Sequence, residues 1–426
     1  MKTLQQGVNS ILNRSERYFK TDIVYLAKSG GWLTFGQIAS MVLSLASSLV
    51  FANFISKEIY GNYKYIISIT SILGALSLTG LGPVVVQGVA QGKEGVFMDA
   101  IRTSLKWGFI MMTGALLAAG YYFLNQNTTL AVAMLVSGCT MLVVNSYSLY
   151  GNYLSGKKNF KDLTIYNVIS QVIIFITTIT VIILTKSVLY MALAYFITNI
   201  FVTLFFYNLT KNTNTINDVR DSSLITYSKH LSIMGFFGTV ASQLDKILIF
   251  HYLGAVQLAV YSFSMAIPEQ FRGVYKNLFA VVAPKYATLS EEDLRHSINK
   301  KFLQLTGLTI LFVIFYIIIA PYIFKLIFPR YIEAVLYSQI YILGLITIPA
   351  ISLFGNYFQI QKEVGILYKT NIINNIGIFI VTYILIYKYG LMGAVIANGI
   401  SWLIMAIGLW FYFVKTKVRL TEKSEK

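Results

Sequence analysis

The chain has very few residues of the kinds that build disulfide frameworks, metal sites or catalytic centres. Its 426 residues include one Cys and three His. The single cysteine, Cys139, cannot form a disulfide framework or a metal cluster. The histidines, His230, His251 and His296, lie far apart and show no His-Glu-x-x-His spacing. A Gly-Lys-Ser/Thr phosphate loop is also missing, so ATP hydrolysis by this chain is not expected.

Charged residues are scarce as well. They make up 12% of the chain, against about 25% in soluble domains, while 56% of the residues are hydrophobic. Apolar stretches of about 20 residues, enough to cross a bilayer core about 30 Å thick, recur along the whole chain. The stretches are continuously apolar, which favours spanning helices over the alternating strands of a barrel. An all-α integral membrane protein is therefore predicted, without a cleaved signal peptide.

Hydropathy predicts twelve spans, and the basic residues between them predict an orientation. The predicted spans are 31–55, 62–90, 105–124, 130–153, 163–184, 188–209, 230–253, 257–284, 302–320, 333–357, 366–387 and 391–414. Of the 34 Lys and Arg residues, 25 fall at the termini and in the even-to-odd connections, and six in the odd-to-even connections. The positive-inside rule then puts both termini in the cytoplasm. This asymmetry explains the net charge of +17 without a nucleic-acid partner.

Two nearly identical hexapeptides indicate an internal duplication. Residues 148–153 read SLYGNY and residues 352–357 read SLFGNY, 204 positions later. Asn167 and Asn371 correspond at the same offset, and Pro83 and Pro284 at a slightly smaller one. Chance likeness of apolar segments is the alternative, but a repeated Gly-Asn-Tyr and paired prolines are not expected by chance. Two six-span copies would be parallel, related by a pseudo-two-fold axis along the membrane normal, with a substrate site between them.

The predicted domains follow from this duplication. They are a cytoplasmic amphipathic segment at 1–30, an N-lobe of six spans at 31–209, a cytoplasmic linker at 210–229, a C-lobe of six spans at 230–414 and a basic cytoplasmic tail at 415–426. The first segment places apolar residues at helical spacing, with basic residues largely on other faces. This pattern favours contact with anionic lipids of the inner leaflet. A loosely held lead-in is the alternative.

Ionisable residues at membrane depth concentrate in the second half. Glu269, Arg272 and Lys276 have the spacing i, i+3, i+7 and share one helical face. An intramembrane ionisable residue marks a functional site by default. We interpret the face as a binding site for phosphate or pyrophosphate, because arginine presents a fork of donors that matches these oxygens. The structural alternative is an ion pair between Glu269 and Arg272, with Lys276 reaching toward the interface.

Asp245 is the other candidate at depth. Its neighbour Lys246 cannot share its helical face. Asp245 could exchange a proton or hold a sodium ion and so couple transport to a gradient, while interhelical hydrogen bonding is the alternative. The candidate helpers share an amide side chain and lie on the last two predicted spans: Asn371, Asn374, Asn375 and Asn398.

Three segments carry a resemblance to a known family. They are FANFISKEIYGNYKY (51–65), QLDKILIFHYLGAVQLAVYSFSMAIPEQ (243–270) and YGLMGAVIAN (389–398). Together they resemble the Wzx-type O-antigen and polysaccharide flippases, the polysaccharide-transport branch of the multidrug/oligosaccharidyl-lipid/polysaccharide (MOP) exporter superfamily. The pattern matches at Asp245, Gly254, Tyr261, Gly390 and Gly393. It does not include the two cations Arg272 and Lys276, which rest on the physical argument.

This resemblance implies a fold and a function. The implied fold is MATE-like, a V-shaped pair of six-helix lobes. The implied function is translocation of undecaprenyl-pyrophosphate-linked oligosaccharide repeat units from the inner to the outer leaflet of the bacterial plasma membrane, by alternating access coupled to Na⁺ or H⁺. No enzyme activity and no cofactor are expected. The implied partner is the lipid-linked oligosaccharide, with polysaccharide polymerase machinery as a further candidate.

Other functions are open alternatives. A drug/cation antiporter of the same superfamily would need an acidic cavity for its cationic cargo. A membrane glycosyltransferase or polymerase would need a large catalytic loop or metal-binding carboxylates, and the short predicted outer connections argue against both.

Overall fold

Long apolar stretches with few helix-breaking residues become long helices in the computed structural model, which describes residues 23–273, 291–361 and 363–424. In these ranges every regular element is a helix and there is no strand. Nine helices of this described part are long and apolar enough to cross a membrane. The prediction of an all-α membrane protein is confirmed, and the total of twelve spans stays a prediction.

The first half contains eight helices. They are α1 (Ile23–Phe54), α2 (Lys57–Ala75), α3 (Leu81–Ala90), α4 (Gly95–Leu124), α5 (Thr128–Tyr147), α6 (Leu149–Gly156), α7 (Phe160–Thr185) and α8 (Val188–Thr213). Polar caps explain several starts, because Ser56, Asn127 and Asn159 each accept a backbone N–H of the first turn. The second predicted span is broken between α2 and α3, and the fourth at Ser148 between α5 and α6.

The second half contains five further helices in the described ranges. They are α9 (Ser222–Ala266), α10 (Glu291–Ile327), α11 (Ala334–Leu343), α12 (Ile348–Ile360) and α13 (Val364–Ser424), with 3₁₀ turns at Pro329–Tyr331 and Gly344–Thr347; residues 268–273 are also helical. Predicted span ten is thus broken four residues before its hexapeptide, whereas span four is broken at the first residue of its own. Between Thr213 and Ser222 the chain has no helix.

Helices α9 and α13 each fold back on themselves at a glycine. Gly254 has φ 85° and Gly390 has φ 58°, both in the region that side chains avoid. Tyr261 consequently reaches Asp245 with a hydrogen bond of 2.5 Å, although sixteen residues of straight helix would separate them by about 24 Å. These two glycines stand where the sequence places connections between predicted spans. Each of the two helices is therefore a hairpin with a first and a second arm.

The two halves meet backbone to backbone where α9 packs along α2 and the connection between α2 and α3. A Cβ at Gly61 would lie 1.8 Å from the carbonyl oxygen of Ala255, and one at Gly80 would lie 2.3 Å from that of Ser228. The N–H of Gly80 also donates to the hydroxyl of Ser232 at 2.9 Å. Small residues permit this close approach of helices in a membrane.

Aromatic side chains close the end of this contact near the α1–α2 turn. Phe263 lies between Tyr60, at a ring distance of 4.8 Å, and Tyr331, at 3.9 Å. All three are almost completely buried. The hydroxyl of Tyr331 has no hydrogen-bond partner in the described part of the chain. An ion pair between Lys57 and Glu333, at 2.5 Å, joins the halves beside these rings.

At the opposite end, Glu94 binds the non-helical segment between α8 and α9 to the first half. Lys157 pairs with its carboxylate at 2.6 Å, and Tyr153, the last residue of the first hexapeptide, donates to it at 3.2 Å. The backbone N–H of Asn217 adds a further bond at 3.3 Å. Burial raises the pKa of Glu94, but the bonds from Lys157 and Asn217 outweigh it and leave this pKa below its usual value.

The second hexapeptide makes the equivalent contact. Its last residue, Tyr357, donates to Glu291 at 2.8 Å, and Arg295 pairs with the same carboxylate at 3.6 Å. Glu291 begins α10, just as the glutamate of the first half caps α4, and these helices correspond to predicted spans nine and three. The same tyrosine–glutamate–cation contact at matching places supports the duplication.

We predict that Gly61→Ala separates α2 from α9, because the added Cβ meets a backbone oxygen that cannot rotate away. Overpacking of this kind destabilises by about 1–3 kcal/mol. Thermal unfolding of the purified protein in detergent should therefore begin at a lower temperature. Gly120→Ala is the matched control, because a Cβ there meets nothing within 4 Å. Equal melting temperatures for the two variants would contradict the backbone contact.

We also predict a pH-dependent contribution from Glu94. Its folded-state pKa is lowered, so the stabilisation is complete above the ordinary carboxyl pKa and is lost as the pH falls through the folded value. Glu94→Gln should lower stability at pH 7 by about 1.5–3 kcal/mol, the range for hydrogen bonds to charged groups. The difference in unfolding free energy between this variant and wild type should shrink in acid. Glu58→Gln, at an exposed glutamate, is the control and should leave stability unchanged at both pH values. A difference that grows in acid would refute the prediction.

Candidate functional site

Asp245 is the centre of a buried hydrogen-bond network. It lies on the first arm of α9 with 7% of its surface exposed. Tyr261, on the second arm, donates to its carboxylate at 2.5 Å, and Asn398, on the second arm of α13, donates at 3.3 Å. Asn398 also donates to the Tyr261 hydroxyl at 2.7 Å. The hairpins at the two glycines bring these residues together, which are far apart in sequence.

The predicted helpers of Asp245 take different places. Asn371 donates to the carbonyl of Leu367 in its own helix, and Asn374 accepts from Ser401 on the second arm of α13. Asn375 is half-buried on the first arm of α13. Of the four amides named from the sequence, Asn398 is the one with a hydrogen bond to Asp245 in the described structure. A role of the other three in ion coupling stays a prediction.

Tyr261 is the hydrogen-bond partner of Asp245 that was not predicted from the sequence. In the sequence it is marked only as a position of the family pattern, although a buried tyrosine hydroxyl usually finds a hydrogen-bond partner. Lys246, the sequence neighbour of Asp245, turns its ammonium group to Gln243 at 2.9 Å. The carboxylate is therefore held by neutral side chains.

The charged face of residues 268–273 contains the ion pair that the sequence suggested, and its arginine is partly exposed. Arg272 pairs with Glu269 at 3.3 Å, and Tyr341 of α11 donates to the same carboxylate at 2.5 Å. The guanidinium of Arg272 lies over the ring of Trp402 at 5.1 Å, yet 48% of the arginine side chain remains exposed. The structural ion pair exists, and binding of an anion by this arginine stays a prediction. Lys276 lies outside the described residues.

Two adjoining cavities are lined mainly by the first half, with Thr239 of α9 added to the first, and none of their described lining residues is Asp, Glu, Lys, Arg or His. The first has a volume of about 490 Å³ and lies among α2–α6, with α8 and α9 each adding one residue. The second, of about 480 Å³, lies among α1 and α5–α8. Ser148 and Tyr195 line both, so the cavities adjoin. The first hexapeptide contributes Asn152 to the first cavity and Tyr150 to the second.

A contact between the halves links the second cavity to the charged face. Gln270, which lies between Glu269 and Arg272 in sequence, donates to Ser44 at 3.0 Å. Ser44 lines the second cavity. The candidate site is thus composed of uncharged polar cavities in the first half and, across the interface, an accessible arginine of the second half. Sequence patterns could not reveal the cavities, because their walls come from many helices.

Comparisons with known proteins agree with this architecture. A family model described as "Polysaccharide biosynthesis protein" matches residues 26–284. No curated protein sequence matches the chain. The solved structures with a similar fold are transporters, and at 14% identity their likeness shows the fold alone.

Three of these structures illustrate the likeness. The inward-facing multidrug resistance MATE family transporter of the MOP superfamily has a TM-score of 0.69, covering 90% of this chain and 96% of that chain. Lipid II flippase MurJ, in its inward closed conformation, has a TM-score of 0.70, covering 89% and 86%. A MOP superfamily transporter from Pyrococcus furiosus has a TM-score of 0.65, covering 93% and 97%. The expected MATE-like, multi-pass membrane fold is confirmed.

Proposed function

The chain belongs to the polysaccharide biosynthesis protein family, and from this premise we propose that it is a lipid-linked oligosaccharide flippase. Its substrate is an undecaprenyl-pyrophosphate-linked repeat unit of the O-antigen or a similar polysaccharide. It turns this unit from the inner to the outer leaflet of the bacterial plasma membrane. The chain is a transporter in this proposal, without catalytic residues or a resident cofactor.

One observation supports this proposal above all: an accessible arginine stands two residues after the glutamine that contacts the wall of the uncharged cavities. Arg272 has free donors, and Gln270 touches the wall of the second cavity. A lipid-linked sugar has the matching parts, an anionic pyrophosphate and a hydroxyl-rich head. Bidentate arginine–phosphate pairing is strong and directional. Lys276 and Glu269 complete the proposed anion-binding face.

Alternating access follows from the proposed architecture of twelve spans in two six-helix lobes. The lobes are 31–209 and 230–414, joined by the linker 210–229, with both termini in the cytoplasm. The polyprenyl tail stays in lipid while the head passes between the lobes. The rings of Tyr60, Phe263 and Tyr331 close one end of this path and must separate for the head to pass.

Asp245 is the proposed coupling site for Na⁺ or H⁺. Its carboxylate is buried among Tyr261 and Asn398, on the two hairpins of the second lobe. Gain or loss of a proton or sodium ion would change these hydrogen bonds and so bias the packing of the hairpins. Asn371, Asn374 and Asn375 are further proposed contributors on the first arm of α13. Anionic lipids and the polymerase machinery are the proposed partners outside the cleft.

A drug/cation antiporter is the second candidate function. The observation that favours it is that Asp245, a buried carboxylate, receives its side-chain hydrogen bonds from neutral groups in the described structure. Such an acid could also take an organic cation. Export of a cationic dye by the purified protein, without movement of a lipid-linked sugar, would select this function.

Arg272→Ala should strongly reduce flipping of a fluorescent undecaprenyl-pyrophosphate oligosaccharide by the purified protein in liposomes. A lost charge-assisted hydrogen bond corresponds to a decrease of about tenfold or more. Arg272→Lys should keep part of the rate, since it retains the charge without the fork. Arg330→Ala, at an exposed arginine, is the control. Normal rates in both Arg272→Ala and Lys276→Ala would refute the anion-binding face.

Asp245→Asn should remove the dependence of the initial flipping rate on an imposed Na⁺ or pH gradient, because the amide cannot exchange a proton and binds a cation weakly. Tyr261→Phe keeps the acid and should shift the gradient response without abolishing it. Rates measured at zero gradient separate coupling from folding. An unchanged gradient response in Asp245→Asn would place coupling elsewhere.

A further inference from the structure

We propose that the two cavities of the first half bind uncharged sugar rings, so that the chain selects repeat units whose head sugars carry no carboxylate. This inference rests on the proposed flippase function and specifies its substrate class. Ligand sites of 300–1,000 Å³ with a few placed polar groups are typical of small molecules. The two adjoining cavities, at about 490 and 480 Å³, lie in this range.

Free hydrogen-bonding groups in the cavities point to a polar ligand. Among the described residues, the side-chain amides of Asn152 and Asn167 and the hydroxyl of Tyr195 have no partner, although each residue lines a cavity. Other lining groups are already paired, as Gln171 is with Ser40 at 2.9 Å. An amide both donates and accepts, as a sugar hydroxyl does.

Two buried threonines strengthen this argument. Thr70 lines the first cavity and is 6% exposed, and Thr178 lines the second and is 4% exposed. Neither hydroxyl has a hydrogen-bond partner in the described part of the chain. Buried hydroxyls nearly always have partners, so an orphan calls for an explanation. A threonine has two accessible rotamers in a helix, and a turn about χ1 can offer the hydroxyl to a ligand.

The charge of the lining determines which sugars fit. The two cavities offer hydroxyls and amides but no Lys or Arg among their described lining residues, and the accessible arginine of the charged face is engaged by the pyrophosphate in the proposed function. A uronic acid would therefore leave its water of hydration without gaining a counter-charge. A neutral hexose exchanges hydrogen bonds with water for bonds with the same kinds of groups. The cavities should thus discriminate by charge rather than by ring shape.

The test compares two matched probes that differ at one carbon. Both are polyprenyl-pyrophosphate disaccharides with the same fluorescent label, one ending in a neutral hexose and the other in the corresponding hexuronic acid. The purified full-length protein is assayed for equilibrium binding in detergent and for flipping in liposomes. We expect the neutral probe to bind about tenfold more tightly and to flip correspondingly faster.

The outcomes separate the two proposals. Equal binding, or tighter binding of the acidic probe, overturns the selection of neutral sugars, and flipping of either probe leaves the flippase function intact. If neither probe flips, the proposed function fails, and the binding ratio alone decides the inference. Failure of both probes to bind, together with binding of a label-free apolar lipid, would assign the cavities to an apolar ligand and overturn the proposal.

Substitutions in the lining test whether these cavities cause the selection. Asn152→Ala and Asn167→Ala should each weaken binding of the neutral probe by about 2- to 10-fold, the effect of one neutral hydrogen bond. Asn152→Lys should raise the ratio of acidic to neutral binding about tenfold, because it supplies the missing cation. Asn167→Lys provides the same test in the second cavity, should the first variant not fold. Asn125→Lys, at an exposed asparagine outside both cavities, is the control. Lysine variants that fold and leave the ratio unchanged would refute the assignment.

Discussion

The backbone contact between α2 and α9 is the constraint on which the rest of the structure depends. Gly61 and Gly80 let the two halves approach so closely that no Cβ fits between them. In lipid there is little hydrophobic force between helices, so close packing and hydrogen bonds must provide association. The aromatic closure, the glutamine that reaches Ser44 and the position of the charged face all presuppose this distance between the halves.

The predicted duplication would give both halves one scaffold, and the described contacts show where the two halves differ in chemistry. Each hexapeptide ends in a tyrosine that donates to a glutamate at the start of a helix, Glu94 at α4 and Glu291 at α10. The asparagine before it differs in use: Asn152 faces a cavity, whereas Asn356 donates to the carbonyl of Ser352 in its own helix. Charged groups at depth collect in the second half, and uncharged cavities open in the first. The division suits a cargo with one anionic and one polar part.

Sequence reasoning predicted what depends on local chemistry. Apolar length predicted the helices, and the i, i+3 spacing predicted the contact between Glu269 and Arg272. It did not predict the breaks within spans two and four. Gly80 and Pro83 stand at or just after the first break, where Leu78 has φ 58°, but no proline or charge marks the second. The network of Asp245 depends on two hairpins at glycines, so the sequence named Asn398 among four amides without a basis for choosing it. The cavities needed the whole first half to be assembled.

The buried hydroxyl of Tyr331 has a thermodynamic consequence for the cycle. A polar atom enclosed by rings without a partner raises the free energy of the closed arrangement by about 1–3 kcal/mol. Separation of the three rings would expose the hydroxyl to solvent and remove this free-energy penalty. In the proposed transport cycle, this penalty would favour separation of the three rings and so keep the closed arrangement from becoming a kinetic trap.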